Sequence, residues 1–229
     1  MFADKEKQKV KTNFSISKNS TDDLMLFIQS CLTKFPEEYK KIFHTSEYIV
    51  EPVVSAELSK ILECKSRENA KPYVFTHQYP QSCEENKTGK YRDVDIDVCL
   101  YLDRKTIFAI ECKWLRNPVS KSKQYVSGNT GGIERFKREQ HGGNLPQSAI
   151  VGFIENEEFD FWFKTINNWI TELFINYDTT ITWEKSDLLN ELTISETTAK
   201  YQSNNKRSKD YIVLTHLWVI LSSAPPTSP

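Results

Sequence analysis

Asp93-Val94-Asp95-Ile96-Asp97-Val98-Cys99-Leu100-Tyr101-Leu102, then Asp103-Arg104-Lys105, then Thr106-Ile107-Phe108-Ala109-Ile110-Glu111-Cys112-Lys113-Trp114: this run decides how the chain is read. Side chains alternate faces along a strand. In the first run Val94, Ile96, Val98, Leu100 and Leu102 therefore share one face, and Asp93, Asp95 and Asp97 share the other with Cys99 and Tyr101. In the second run Ile107, Ala109, Glu111 and Lys113 lie together, opposite Phe108, Ile110, Cys112 and Trp114. If Asp103-Arg104-Lys105 close the two runs into a hairpin, Leu102 pairs with Thr106 and partner numbers add to 208. Asp97 then lies opposite Glu111, and Asp95 opposite Lys113. A two-residue loop would slip the register by one and turn the aspartates to the wrong face. The pattern thus predicts the three-residue loop or a bulge.

That arrangement has a chemistry. Mg²⁺ is held by one or two carboxylates and keeps its other positions for water and substrate phosphate. Asp97 and Glu111 on neighbouring strands would bind such an ion, with Mn²⁺ as a substitute, and the site would hydrolyse phosphodiester bonds. Lys113 projects on the same face, where its ammonium can orient the attacking water or offset charge on the phosphate. Glu57, in a helix predicted from about Pro52 through Val53, Leu58, Ile61 and Leu62, could reach the metal directly or through water. An isolated Glu-x-Lys is commonly a surface pair. What distinguishes this one is the conjunction of a buried-looking strand, an upstream acidic strand of matching phase and a preceding helix glutamate.

From Pro52 to Phe153 the order helix, strand, acidic strand, Glu-x-Lys strand, helix, strand resembles the PD-(D/E)xK nuclease superfamily. The resemblance implies an α/β fold, a restriction-endonuclease-like central mixed β-sheet flanked by α-helices, here with an extra C-terminal β-hairpin. It implies a hydrolase: an Mg²⁺-dependent endonuclease acting on DNA, of restriction or defence type, with RNA as an alternative substrate. Asp97 is similar to the first motif acid and Asp95 is the alternative. Glu111 and Lys113 are similar to the Glu-x-Lys pair, and Glu57 to the helix glutamate. The implied metal ligands are Asp97, Glu111, the backbone carbonyl of Cys112, and Glu57. No proline precedes either aspartate, a departure from the motif. A catalytically silent nucleic-acid-binding or assembly module would share the fold, because fold identifies activity poorly.

The remaining composition is compatible with this reading. The chain has 229 residues, 38% apolar and 12% aromatic, enough for one domain, expected over 21–222 around a core at 52–153. A polar segment over 1–20 and a disordered tail over 223–229 flank it. Net charge is −1, yet Lys113, Arg116, Lys121, Lys123, Arg135, Lys137 and Arg138 are interrupted by a single acid, Glu134. Arg116 to Arg138, with Gln140, is the expected backbone-binding stretch. Five of the seven glycines lie between Gly128 and Gly143, around a short helix predicted from Ile133 to Gln140. Cutting both strands of a duplex needs two sites, which a homodimer would supply. Five scattered cysteines lack zinc-ligand spacing, and Cys112 reads as a small buried hydrophobe. The Lys-rich start lacks a secretory signal, and Tyr211 to Leu221 falls short of the ~20 apolar residues that cross a bilayer. A cytoplasmic protein without membrane partners is expected.

Elsewhere, Thr21-Asp22-Asp23 predicts a helix from Leu24 to Phe35 that Pro36 ends. Tyr73 to Tyr79 reads as a strand and Ser148 to Glu155 as a buried one. A helix bearing Phe159, Trp162, Phe163, Ile166, Trp169, Ile170, Leu173 and Phe174 follows. Ile181 to Trp183, Leu192 to Gln202 and Tyr211 to Leu221 read as β-segments, the last two joined by a loop over Ser203 to Ser208 that carries Arg207. His141 and His216 are acid/base candidates without an accompanying nucleophile, and His216 reads better as a hydrogen-bonded core residue.

Overall fold

The computed structural model describes residues 18–44, 49–77, 94–102, 105–128, 131–176 and 181–221. The expected polar start up to residue 17, the end of the expected first strand at Gln78 and Tyr79, residues 80–92, Asp93 of the acidic run, the hairpin tip at Asp103 and Arg104, and the tail 222–229 lie outside the described residues. A mixed α/β architecture is observed, built on a seven-stranded mixed sheet in the order β1-β2-β3-β4-β7-β6-β5. The strands are β1 (Tyr73–His77), β2 (Ile96–Leu100), β3 (Thr106–Leu115), β4 (Gln147–Ile154), β5 (Asn190–Ile194), β6 (Thr198–Lys206) and β7 (Tyr211–Ile220). β3-β4 and β4-β7 pair in parallel, and every other pair is antiparallel.

Helices α1 (Lys18–Phe43) and α2 (Glu51–Glu68) cover one face of the sheet. Their apolar stripes recur at helical spacing, as Leu24, Ile28, Leu32 and Phe35 of α1 and Val54, Leu58 and Leu62 of α2. These side chains share a core with Val98, Phe108, Ile110, Cys112 and Val151. The other face is covered by α3 (Gly132–Lys137), α4 (Phe159–Ile175) and short 3₁₀ turns at Val119–Tyr125 and Lys185–Asp187. Its core joins Trp162, Ile166 and Ile170 to Ile150, Tyr201 and Trp218. Both faces of β3 and β4 are thus covered, which is why these strands read as nearly continuous apolar runs.

Several local expectations are corrected. Pro36 does not end α1, which continues to Phe43. An interior proline costs about 3 kcal/mol, but Phe35, Tyr39 and Phe43 extend the apolar stripe, with successive ring centroids 6.3 and 4.9 Å apart. Leu192 to Gln202 is two strands, turned at Ser195, whose N–H donates to Thr198 O (2.8 Å). Ser203 to Lys206 belongs to β6, because Ser203 and Asn205 are buried polar residues that hydrogen-bond each other (2.7 Å). The expected terminal hairpin, β6-β7, is no appendage: β7 pairs along the length of β4. Residues 181–183 are irregular and lead into the 3₁₀ turn. Among the described residues no helix is long and apolar enough to cross a membrane.

The decisive hairpin differs in register. Ile96↔Ile110, Asp97↔Ala109 and Val98↔Phe108 add to 206, and a bulge between Val98 and Cys99 shifts the pairing to Cys99↔Thr106. The bulge keeps both aspartates on the Glu111 face, as parity requires. The difference of two slides β2 along β3, so Asp97 faces Ala109. Continued one residue beyond the ladder, the register sets Asp95 opposite Glu111.

Candidate active site

β3 is longer than its partner, and that mismatch creates the site. Thr106 to Ile110 pair with β2, while Glu111 to Leu115 pair only with β4 on the opposite edge. The outward N–H groups of Cys112 and Trp114 therefore lack strand partners and need other acceptors. Carboxylates supply them: Cys112 N–H donates to Asp95 Oδ2 (2.7 Å) and Trp114 N–H to Glu51 Oε2 (2.8 Å). The N–H and C=O of one strand residue point to the same side. The Cys112 carbonyl accordingly faces the same open edge as Asp95.

Glu111 and Lys113 stand on the α3 side of this edge. Lys113 Nζ lies 2.8 Å from Glu111 Oε1 and 3.1 Å from Glu51 Oε1. Arg135 Nη1 donates to the same Glu111 Oε1 at 3.0 Å, and His141 Nδ1 faces Glu111 Oε2 at 3.4 Å. Glu111 is buried, and its Oε2 accepts no hydrogen bond. The backbone explains how α3 comes so close. A Cβ on Gly131 would stand 2.5 Å from the Ser127 carbonyl carbon; one on Gly132 would be 2.9 Å from Tyr125 O and 3.5 Å from Lys113 Cγ. Glycine at both positions lets the first turn of α3 settle beside Lys113, and the next residues bring Arg135 over Glu111.

Charge in this pocket is frustrated. Burial, reinforced by Glu111, pushes the Asp95 carboxyl up to about 6, against the opposing pull of Lys113 and the Cys112 N–H. Burial works against the Lys113 ammonium, but Glu111, Glu51 and Asp95 outweigh it and hold the amine protonated above the usual lysine range. Lys113 is thus a donor here. The Cys112 thiol is pushed well up by burial and the surrounding carboxylates, so it is unreactive.

Of the residues singled out in the sequence, Asp95, Glu111 and Lys113 are brought together. Asp97 is not part of that cluster. It accepts from Thr106 Oγ1 (2.9 Å), its Oδ1 is buried without a hydrogen-bond partner, and burial raises its carboxyl to about 6. Glu57, expected to reach the metal, points elsewhere and pairs with Lys60 one turn on. Position 57 lies off the buried stripe of α2, whereas Glu51, in its first turn beside Pro52, reaches the β3 edge. The glutamate that sequence reasoning missed lies one residue before the predicted helix start. The signal it carried was an acid at a helix N-terminus, where the dipole favours it.

The basic stretch divides. Lys137 is a correction: it is buried, with Nζ 2.6 Å from Asp187 Oδ1 and 4.9 Å from the Trp183 ring centre, and does not face a nucleic-acid backbone. Arg135, Arg138 and Gln140 line a cavity of about 310 Å³ with Gly128 and Glu134. Arg116 lies over the Trp114 ring at 5.0 Å, Lys121 is exposed, and Lys123 turns to Glu172 of α4 (3.4 Å). Arg207 is a strut, binding Asp210 and the Gly142 carbonyl. His141 joins Glu111, while His216 is a core residue. Tyr125 O–H donates to His216 Nδ1 (2.7 Å), and His216 Nε2–H in that tautomer donates to Ser203 Oγ (2.8 Å). Burial lowers His216 to about 3, keeping it neutral.

Among the described residues no cluster of three or more His, Cys, Asp or Glu side chains forms a ready-made ion cage. Mg²⁺ seldom uses one. The donors present at the edge are the hard oxygens of Asp95, Glu111 and the Cys112 carbonyl. The Glu111 Oε2 atom without a hydrogen bond and the destabilised Asp95 carboxylate both fit a divalent cation. Comparison with family models, with curated proteins and with solved structures returns no match.

Proposed function

We propose that the chain is a metal-dependent nuclease of the PD-(D/E)xK, restriction-endonuclease-like type, hydrolysing DNA phosphodiester bonds. The observation that supports this most is the convergence of Asp95, Glu111, Lys113 and the Cys112 carbonyl at the open half of β3. Asp95, rather than Asp97, is the motif acid in this reading. Asp95, Glu111 and the Cys112 carbonyl would hold Mg²⁺ or Mn²⁺, and Glu51 takes the helix-glutamate position. A bound ion would polarise a phosphoryl oxygen and acidify water. Lys113, kept protonated and anchored by Glu51, orients the attacking water or donates to the phosphoryl oxygen as charge builds there. Arg135, Arg138 and Gln140 present donors to the DNA backbone from the adjoining cavity.

The test is incubation of the purified protein with supercoiled, linear and single-stranded DNA, and with RNA, in Mg²⁺ or Mn²⁺, against EDTA and Glu111→Ala controls. Cleavage that needs metal and is lost in Glu111→Ala is the expected result. Cleavage that survives the substitution rejects the assignment, and DNA binding without cleavage in either metal assigns the chain to a silent binding module instead.

A further inference from the structure

Arg135 belongs to two places at once. Its Nη1 holds Glu111 Oε1, the oxygen that Lys113 already holds, and the same side chain lines the 310 Å³ cavity beside Gly128, Glu134, Arg138 and Gln140. The three side chains around Glu111, namely Lys113, Arg135 and His141, differ in their freedom to leave. Lys113 is buried and is also held by Glu51; His141 is buried. The Arg135 side chain is 25% exposed, against 1% for Glu111, so the guanidinium can turn into the cavity while the carboxylate stays fixed. A divalent ion approaching Glu111 meets this guanidinium on one carboxylate oxygen. A phosphate entering the cavity offers the guanidinium a planar, bidentate anion in exchange.

We propose that Arg135 is a counter-ion latch that couples nucleic-acid binding to divalent-cation binding. Paired with Glu111 it holds cation affinity down; drawn onto a backbone phosphate in the cavity, it frees the carboxylate for the ion. The proposal rests on the nuclease reading of this site and adds to it an order of assembly, in which metal loads well only beside substrate. Thermodynamic linkage requires the effect to be reciprocal: the ion strengthens phosphate binding by the same factor.

The test measures Mn²⁺ binding by calorimetry and electron paramagnetic resonance, with and without a cleavage-resistant phosphorothioate oligonucleotide. In the unmodified protein the oligonucleotide should tighten Mn²⁺ binding about tenfold, and Mn²⁺ should tighten oligonucleotide binding equally. Arg135→Gln should bind Mn²⁺ alone about tenfold more tightly, with the oligonucleotide then adding less than about threefold. Arg135→Lys should keep the weak Mn²⁺ binding of the unmodified protein. Mn²⁺ affinity indifferent to the oligonucleotide in the unmodified protein overturns the latch without any variant. Arg135→Gln binding Mn²⁺ no more tightly also overturns it, while leaving the metal site itself intact. Absence of Mn²⁺ binding in every folded protein, checked by thermal melting, removes the latch and the nuclease reading together.

Discussion

Two cations two residues apart on α3 reach two buried acids, and the two pairs are built oppositely. Lys137 meets Asp187 in a closed pair. Asp187 Oδ1 takes Lys137 Nζ, and Oδ2 accepts the Glu184 N–H (2.6 Å). Burial draws Lys137 down and Asp187 up toward their neutral forms, each opposed by the other's charge. Arg135 meets Glu111 in an open cluster, where Lys113, Arg135 and the His141 ring surround one carboxylate, one oxygen accepts no hydrogen bond and a cavity adjoins. Buried polar groups are normally satisfied. The Lys137–Asp187 pair is satisfied on both carboxylate oxygens, whereas Glu111 keeps one oxygen without a hydrogen bond.

The largest effect expected at the open cluster is catalytic. On the proposed reading, Glu111→Gln should lower metal-dependent cleavage by about 10³-fold or more, since it removes charge that would position the ion, while a thermal melt shows a folded protein. The closed pair should respond in stability alone. Asp187→Ala leaves the Lys137 ammonium buried without its partner and should cost about 3–5 kcal/mol in urea unfolding. The double substitution Lys137→Met, Asp187→Leu should restore most of that, with cleavage per folded molecule unchanged.

A third measurement separates the aspartates. The folded Asp95 pKa is raised to about 6, so its stabilising contribution is present below its unfolded value near 3.8 and is lost as pH rises through 6. Asp95→Asn should therefore be more stable than the unmodified protein at pH 7.5 by about 1–3 kcal/mol, with the gain vanishing below pH 4, as melting curves across pH would show. It should also cut slower by at least about 100-fold. Asp97, raised by burial in the same direction, should give a similar pH-dependent gain as Asp97→Asn but leave cleavage within about threefold. The smallest effect should come from Glu57→Ala. Its half-exposed pair with Lys60 predicts about 0.5 kcal/mol or less in stability and unchanged cleavage.

Much of this was legible in the letters. The alternation of Val94 to Leu102 and of Thr106 to Trp114 carries strand identity and face, because the pleat makes side-chain direction a matter of parity. Glu111 and Lys113 share a face under any register. The α4 stripe of Trp162, Ile166 and Ile170 is likewise local, and all three are buried. Pairing partners are not local: the bulge at Val98 preserves parity while moving Asp95, not Asp97, opposite Glu111. Helix-start signals mark Pro52 but not the contact that Glu51 makes with Trp114, 63 residues away.

Local pattern was enough to establish the acidic hairpin, the Glu-x-Lys strand and the glycines that admit α3. These depend on side-chain period and on the space a missing Cβ leaves, both set within a few residues. Long-range packing chose which aspartate and which glutamate lie at the open half of β3, and turned Arg135 to Glu111 but Lys137 to Asp187. Those choices depend on where strand pairing stops and which backbone N–H groups are left needing acceptors, and no segment of chain carries that information alone.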